Sequence, residues 1–449
     1  MCPVDPSRTE IAPQHETVDL AIVGAGAAGL ATAIFGARSK PQLRVRCIDS
    51  AHQLGAKILV SGGSRCNVTN RVVTGRDFWG GSPRIVARVL RAFPAEQARP
   101  FFGELGVSLH EEEDGKLFPD TNRSRTVLDA LLSAVDAAGV SIDRNQRVCD
   151  VTRCGDSFVI QTIAGRRYLA SRVVLATGGR SLPKTGSDGF GYEIARRLGH
   201  SYVETTPALA PLLLDGDRHA TLSGVAHDVS LGLRVEGRLR IRLDGALLWT
   251  HFGASGPVVL NMSRHFHRAR LQGEETEVVL NVCPGDTFES VERWFLDQEQ
   301  QRPRAQVSTV LATRVPAAVA AAWIAGAHID PTVTLAHFTR EERRRLIHAL
   351  IETRLDVRDS RGYGYAEVTA GGIPLDEVDS GTLESRVCPG LHLVGEILDV
   401  DGRLGGFNFQ WAWSSGFVAG NAAATMLVKQ LGVPNGDVNV QPPTSNGPD

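Results

Sequence analysis

The 449-residue chain predicts an α/β fold in which one domain is interrupted by an insertion. Three observations predict it. An apolar run at 19–23 leads through a glycine loop into a small-residue helix over 27–39. The middle of the chain changes pattern, from alternating strands at 207–281 to amphipathic helices at 286–350. After residue 362 the opening pattern returns as a strand "LHLVG", a glycine loop and a long helix over 408–427.

Taken in order, residues 1–16 lack apolar periodicity and read as a flexible tail. The strand at 19–23 then enters "GAGAAG", which places Gly24, Gly26 and Gly29 in a G-x-G-x-x-G pattern. Gly24 allows the tight turn, Gly26 lets a pyrophosphate approach the backbone, and Gly29 lets helix and strand pack closely. Ala27 and Ala28 open the helix, whose N-terminus offers free N–H groups to phosphate. A second strand over 44–49 ends at Asp49, 20 residues after Gly29, where a carboxylate can hold ribose hydroxyls. Together these signals predict a Rossmann-like dinucleotide-binding domain. The competing reading is a tight βα turn without a ligand.

Helices follow over 83–93, 95–105 and 124–138, the last with Ser124 as cap and Gly139 as stop. Short strands occupy 140–175 and end in "VVLATGG", with Thr177 and Gly178 at the strand end. In the C-terminal repeat of the pattern, Gly395 and Glu396 follow the strand, and Gly405, Gly406 and Asn408 lead into the long helix. Two such segments are how flavoproteins of the two-dinucleotide-fold type hold FAD: the helix N-terminus stabilises the anionic reduced flavin. A small-residue helix packed in a core is the alternative. The predicted organisation is a discontinuous FAD-binding domain over 17–206 and 360–430, a β-rich insert over 207–284, a helical insert over 285–359, and a disordered tail over 431–449.

Composition narrows the class. Hydrophobic residues make up 42% and charged residues 22%, as in ordinary globular proteins. A net charge of −2 gives no global field toward nucleic acid or anionic membrane, though a local patch remains open. Of the 48 basic residues 43 are arginine, a compositional bias or a means of gripping phosphates. The seven cysteines are scattered without C-x-x-C, which predicts no metal site, no disulfide framework and a cytoplasmic location. No run is long and apolar enough to predict a membrane span.

The stretches "GAKILVSGGSRCNVTN" (55–70), "GKLFPDTNRSRTVLDALL" (115–132), "VVLATGG" (173–179), "LLWTHFGASGP" (247–257) and the segment over 366–416 resemble the BaiN/RdsA-type flavoproteins, also labelled aminoacetone-oxidase-family FAD-binding enzymes. The resemblance spans residues 19–427. It departs at Ser64, where the family has glycine, and at Trp249, where phenylalanine is usual. It implies an FAD-binding domain with inserted β-barrel-like and helical subdomains. It also implies that Lys57, Ser61, Gly62 and Asn67 lie in a loop against the flavin. The implied chemistry is hydride transfer from reduced FAD to a C=C bond conjugated to a carbonyl. NAD(P)H is the expected transient donor, and ribosomal-RNA uridine the first candidate substrate. A small-molecule ene-reductase, an amine oxidase and a non-catalytic FAD-binding redox sensor are the alternatives.

For the chemistry itself, Cys66 can be a proton donor and Arg65 an anion stabiliser, or both can be structural. His251 is a third candidate donor, since histidine is the side chain type that can exchange a proton near neutral pH. "HFHRAR" (265–270) and "EERRRL" (341–346) are either solvated faces or an RNA grip.

Overall fold

A computed structural model describes residues 15–431. The expected tails lie outside the described residues apart from residues 15, 16 and 431; residue 16 opens the first strand and residue 431 closes the last helix.

Strand β1 (Glu16–Val23) is buried along its last six residues. Burial on both faces is what a central parallel strand requires. It runs parallel to β2 (Val45–Ile48), which pairs with Ser141–Asp143. On its other side β1 runs parallel to β3 (Arg167–Leu175). Strand β3 changes partner along its length. Residues 167–170 pair antiparallel with Ser157–Thr162, and residues 173–175 pair parallel with β4 (Leu391–Leu393). The C-terminal part of the chain thus returns into the sheet that the N-terminal part begins. Helix α1 (Ala27–Ser39) leaves β1 and packs against the last helix, Phe407–Leu431.

Between these halves lies a seven-stranded antiparallel sheet. Its order is Thr353–Leu355, Thr276–Asn281, Ala226–Val235, Arg238–Thr250, Gly253–Ser255, Leu212–Leu214 and Val357–Ser360. The two end strands are joined by one residue, Asp356, so the sheet must curl until its edges approach each other. That is the barrel-like shape the resemblance implies. Helices Phe288–Gln301, Ala317–Gly326 and Arg340–Ile351 complete the insert. Each part has its own apolar core, one centred on the parallel sheet and one around Trp249 and Trp323. Where they meet, Ala208, Leu209, Val368 and Ala370 form a small third cluster with Leu260 and Leu404.

Two local expectations change. Ser124 is the first residue of its helix rather than its cap, and its hydroxyl donates 2.9 Å to the Leu59 carbonyl. A tertiary partner has taken the group that local pattern assigned to capping. The stretch before "SRCN" also contains helix, α2 (Ala56–Ser64), which kinks at Ser61, Gly62 and Gly63.

Candidate functional site

A cavity of about 690 Å³ extends from the first glycine loop to the junction between the two cores. Its floor is the C-terminal edge of the parallel sheet, where open α/β sheets place ligands. Gly24 turns the chain with φ +104°. A Cβ at Gly29 would sit 1.9 Å from the Gly24 carbonyl oxygen, so only glycine lets helix meet strand there. A Cβ on Gly26 would meet nothing within 4 Å, and the backbone at that point faces open space. No side chain caps α1 and no acid sits in its first turn, so its N–H groups are available to an anion. Ala27 and Ala28 line the same wall.

Asp49 accepts the Ala25 N–H at 2.6 Å and the Ala51 N–H at 2.7 Å. A carboxylate has four lone-pair sites, leaving capacity for ribose hydroxyls. Further along, Lys57 binds Glu396 and donates to the Ser181 hydroxyl at 2.5 Å. Glu396 also accepts the Thr369 N–H at 2.9 Å. Thr177, Gly178 and Gly395 border this cluster in the cavity wall. At the opposite wall, Gly405 and Gly406 turn into the last helix, and Asn408 closes that turn through both amide atoms to Gly402. Two helix N-termini therefore open on one cavity. Glycine backbone, free N–H groups and a ribose-distance acid fit an extended dinucleotide such as FAD.

The loop after α2 has a clear internal logic. Ser61 donates to the Ile58 carbonyl at 2.8 Å, and Gly62 lies beside it in the cavity wall. In its satisfied amide orientation Asn67 donates to the Thr69 and Leu117 carbonyls and accepts the Gly406 N–H at 3.0 Å. Asn70 donates to the Gly405 carbonyl at 3.1 Å. Asn67 and Asn70 thus fasten this loop to the C-terminal glycine turn. Arg65 reaches the cavity but is held by Glu112 at 2.6 Å and lies 4.2 Å from the Phe118 ring centroid. Its guanidinium holds the Glu112 carboxyl below the ordinary range.

Cys66 and His251 are not brought to the cavity. Cys66 is fully buried beneath the loop, and burial pushes its thiol up to about 12, partly offset by Ser61. His251 sits with Phe252 on the turn between paired Thr250 and Gly253, exposed to solvent. Within "HFHRAR", Arg268 and Arg270 donate to the backbone carbonyls of Glu204 and Arg358, and the preceding Arg264 grips Asp401 in two bonds of 2.7 and 3.0 Å.

Glu367 was not legible as a site residue. It precedes the fully buried strand Val368–Gly372 and projects into the cavity near Leu209, Leu260 and Leu404. The open cavity exposes it, while the surrounding protein pushes its carboxyl above the ordinary range, against the pull of Lys57. The other charged groups lining the wall are paired: Arg147 with Asp188, Lys116 with Asp114, and Arg403 with Asp77, beside those above.

Comparison with known proteins matches the HI0933-like protein Rossmann domain family over residues 18–422. The chain is 32% identical over 405 residues to a 3-dehydro-bile acid delta(4,6)-reductase of Clostridium scindens, covering 90% of this chain and 98% of the relative. It is likewise 32% identical over 404 residues to a ribosomal RNA dihydrouridine synthase of Escherichia coli, covering 89% and 96%. A solved 3-ketosteroid dehydrogenase of Rhodococcus jostii aligns over 93% of this chain and 99% of its own, at 15% identity and a TM-score of 0.47.

Proposed function

The chain belongs to the HI0933-like Rossmann-domain family and is an FAD-dependent oxidoreductase; we propose that it saturates a C=C bond conjugated to a carbonyl. The observation that carries this reading is the single cavity joining the dinucleotide cradle to an apolar end at Leu209, Leu260 and Leu404. The names of both relatives describe addition of hydrogen across such a bond. Reduced FAD would supply the hydride.

The chain's residues divide the work. The loop from Gly24 to Gly29 and α1 would hold the pyrophosphate, and Asp49 the ribose. Lys57 and Glu396, tied together and to the buried Ser181 hydroxyl, form a fixed polar part of the cavity wall. The N-terminus of the last helix would face developing negative charge on the ring system. NAD(P)H would be the electron donor that reduces the bound flavin.

Ribosomal-RNA uridine is the first substrate to test. Tyr365 lines the cavity with 52% of its surface exposed. Arg361 lies 3.4 Å from its ring centroid and 4.5 Å from that of Phe252. Flipped bases stack on such surfaces. A small apolar enone is the second reading, favoured by the three leucines. Mass spectrometry of large-subunit rRNA from a deletion strain separates them. Loss of a dihydrouridine supports the RNA reading; unchanged dihydrouridine sinks it. Rapid peroxide formation from amines, with no enone reduction, would instead favour an oxidase.

A further inference from the structure

We propose that Glu367 is the acid of this reduction, delivering its carboxyl proton to the alkene carbon that does not receive the hydride. The inference rests on the conjugated-alkene reading. Among the described residues, Glu367 is the one cavity-lining charged side chain whose carboxyl or cation makes no hydrogen bond or ion pair. Its backbone is fixed: its N–H donates to the Leu209 carbonyl at 3.2 Å, and the strand behind it is buried at every residue. That places a free carboxyl where the insert and the dinucleotide domain meet, on the apolar side of the cavity.

The charges that share this space are Lys57 on α2, Glu396 after β4 and Arg403 in the C-terminal loop. Lys57 is engaged with Ser181 and Glu396, and Arg403 with Asp77. Neither cation is free to fix Glu367 as a carboxylate. The surrounding protein raises the carboxyl although the cavity leaves it open to water, which favours the protonated form that a proton donor needs.

The step balances. One alkene carbon gains a hydride, with its electron pair, from reduced FAD. The other gains the Glu367 proton, the C=C π bond is lost, and FAD becomes oxidised. The carboxylate regains its proton from water in the open cavity.

The test uses FAD-loaded wild type, Glu367→Gln and Glu367→Asp. Each is reduced anaerobically and mixed with 2-cyclohexen-1-one or a uridine-containing rRNA fragment. Glu367→Gln should be reoxidised about 100-fold more slowly or worse. Flavin reduction by NAD(P)H and FAD affinity should stay within about threefold. The wild-type rate should fall as pH rises through the Glu367 pKa, while the Gln variant is flat and the Asp variant partly recovers. A second readout is thermal stability. A raised carboxyl contributes stability below its unfolded pKa and loses it as pH rises through the folded one. Glu367→Gln should therefore melt higher than wild type near about pH 8, with the gap closing near about pH 4. Wild-type reoxidation rates in Glu367→Gln, or a lower melting temperature at the higher pH, would overturn the acid alone. A loss of FAD affinity of about tenfold would make Glu367 a cofactor ligand and also overturn it. A wild type reoxidised by neither probe overturns the alkene reading, and the acid with it.

Discussion

Ser64 holds a left-handed backbone, φ +67°, at a position where glycine would be free of strain. A side chain in that region costs about 1–2 kcal/mol, partly offset by the greater freedom of unfolded glycine. Ser64→Gly should therefore raise stability by about 1 kcal/mol, read as a higher melting temperature at saturating FAD. Cys66 shares the left-handed conformation two residues on, at φ +64°. Its thiol is buried and stays protonated far above neutral pH. Cys66→Ala should leave reoxidation of the reduced enzyme unchanged and cost on the order of 1–2 kcal/mol of stability. A collapse of turnover with FAD affinity intact would return Cys66 to the chemistry. The sequence left Arg65 and Cys66 open between a chemical and a structural role; Cys66 turns into the core, and Arg65, at the cavity wall, is held by Glu112 and Phe118.

The last helix organises the site more than its composition suggests. Trp413 donates from its indole to the Val68 carbonyl at 2.8 Å, and Trp411 to the Gly395 carbonyl at 3.1 Å. Gln410 accepts from the Thr69 hydroxyl at 2.6 Å and donates to the Phe93 carbonyl at 2.8 Å. These bonds satisfy buried polar groups and set the helix N-terminus beside the loop after α2. Downstream, the helix presses on α1 so closely that a Cβ on Gly420 would lie 2.5 Å from the Thr32 carbonyl oxygen. Gly420→Val should overpack this contact, costing about 1–3 kcal/mol and weakening FAD binding together with the melting temperature. An unchanged melting temperature would show that the two helices separate freely. The helix packs against α1 through small residues and also brings its N-terminus to the cavity.

At the scale of the molecule, legibility followed sequence distance. The glycine loop, α1 and Asp49 were readable because their geometry is set within 26 residues, by local turn and helix chemistry. Lys57 and Glu396 were readable as candidates, but their pairing and the part played by Ser181 were not, because Ser181 and Glu396 lie 124 and 339 residues from Lys57. Glu367 carried no local signal either: a carboxylate before a buried strand becomes notable only when folding leaves it unpaired in a cavity. The insertion was visible as a change of periodicity. The strand pattern alone did not show its curled sheet, which only the resemblance implied, since the pairing order joins strands more than 140 residues apart, Leu212 opposite Ser360.

The most direct measurement of the central claim is single-turnover reoxidation. The FAD enzyme is reduced anaerobically, mixed with the rRNA fragment or 2-cyclohexen-1-one, and followed by flavin absorbance and product mass. Reoxidation should saturate with one of these acceptors and give a product heavier by two hydrogens. Flavin that stays reduced until oxygen is admitted, with both acceptors recovered unchanged, would contradict it.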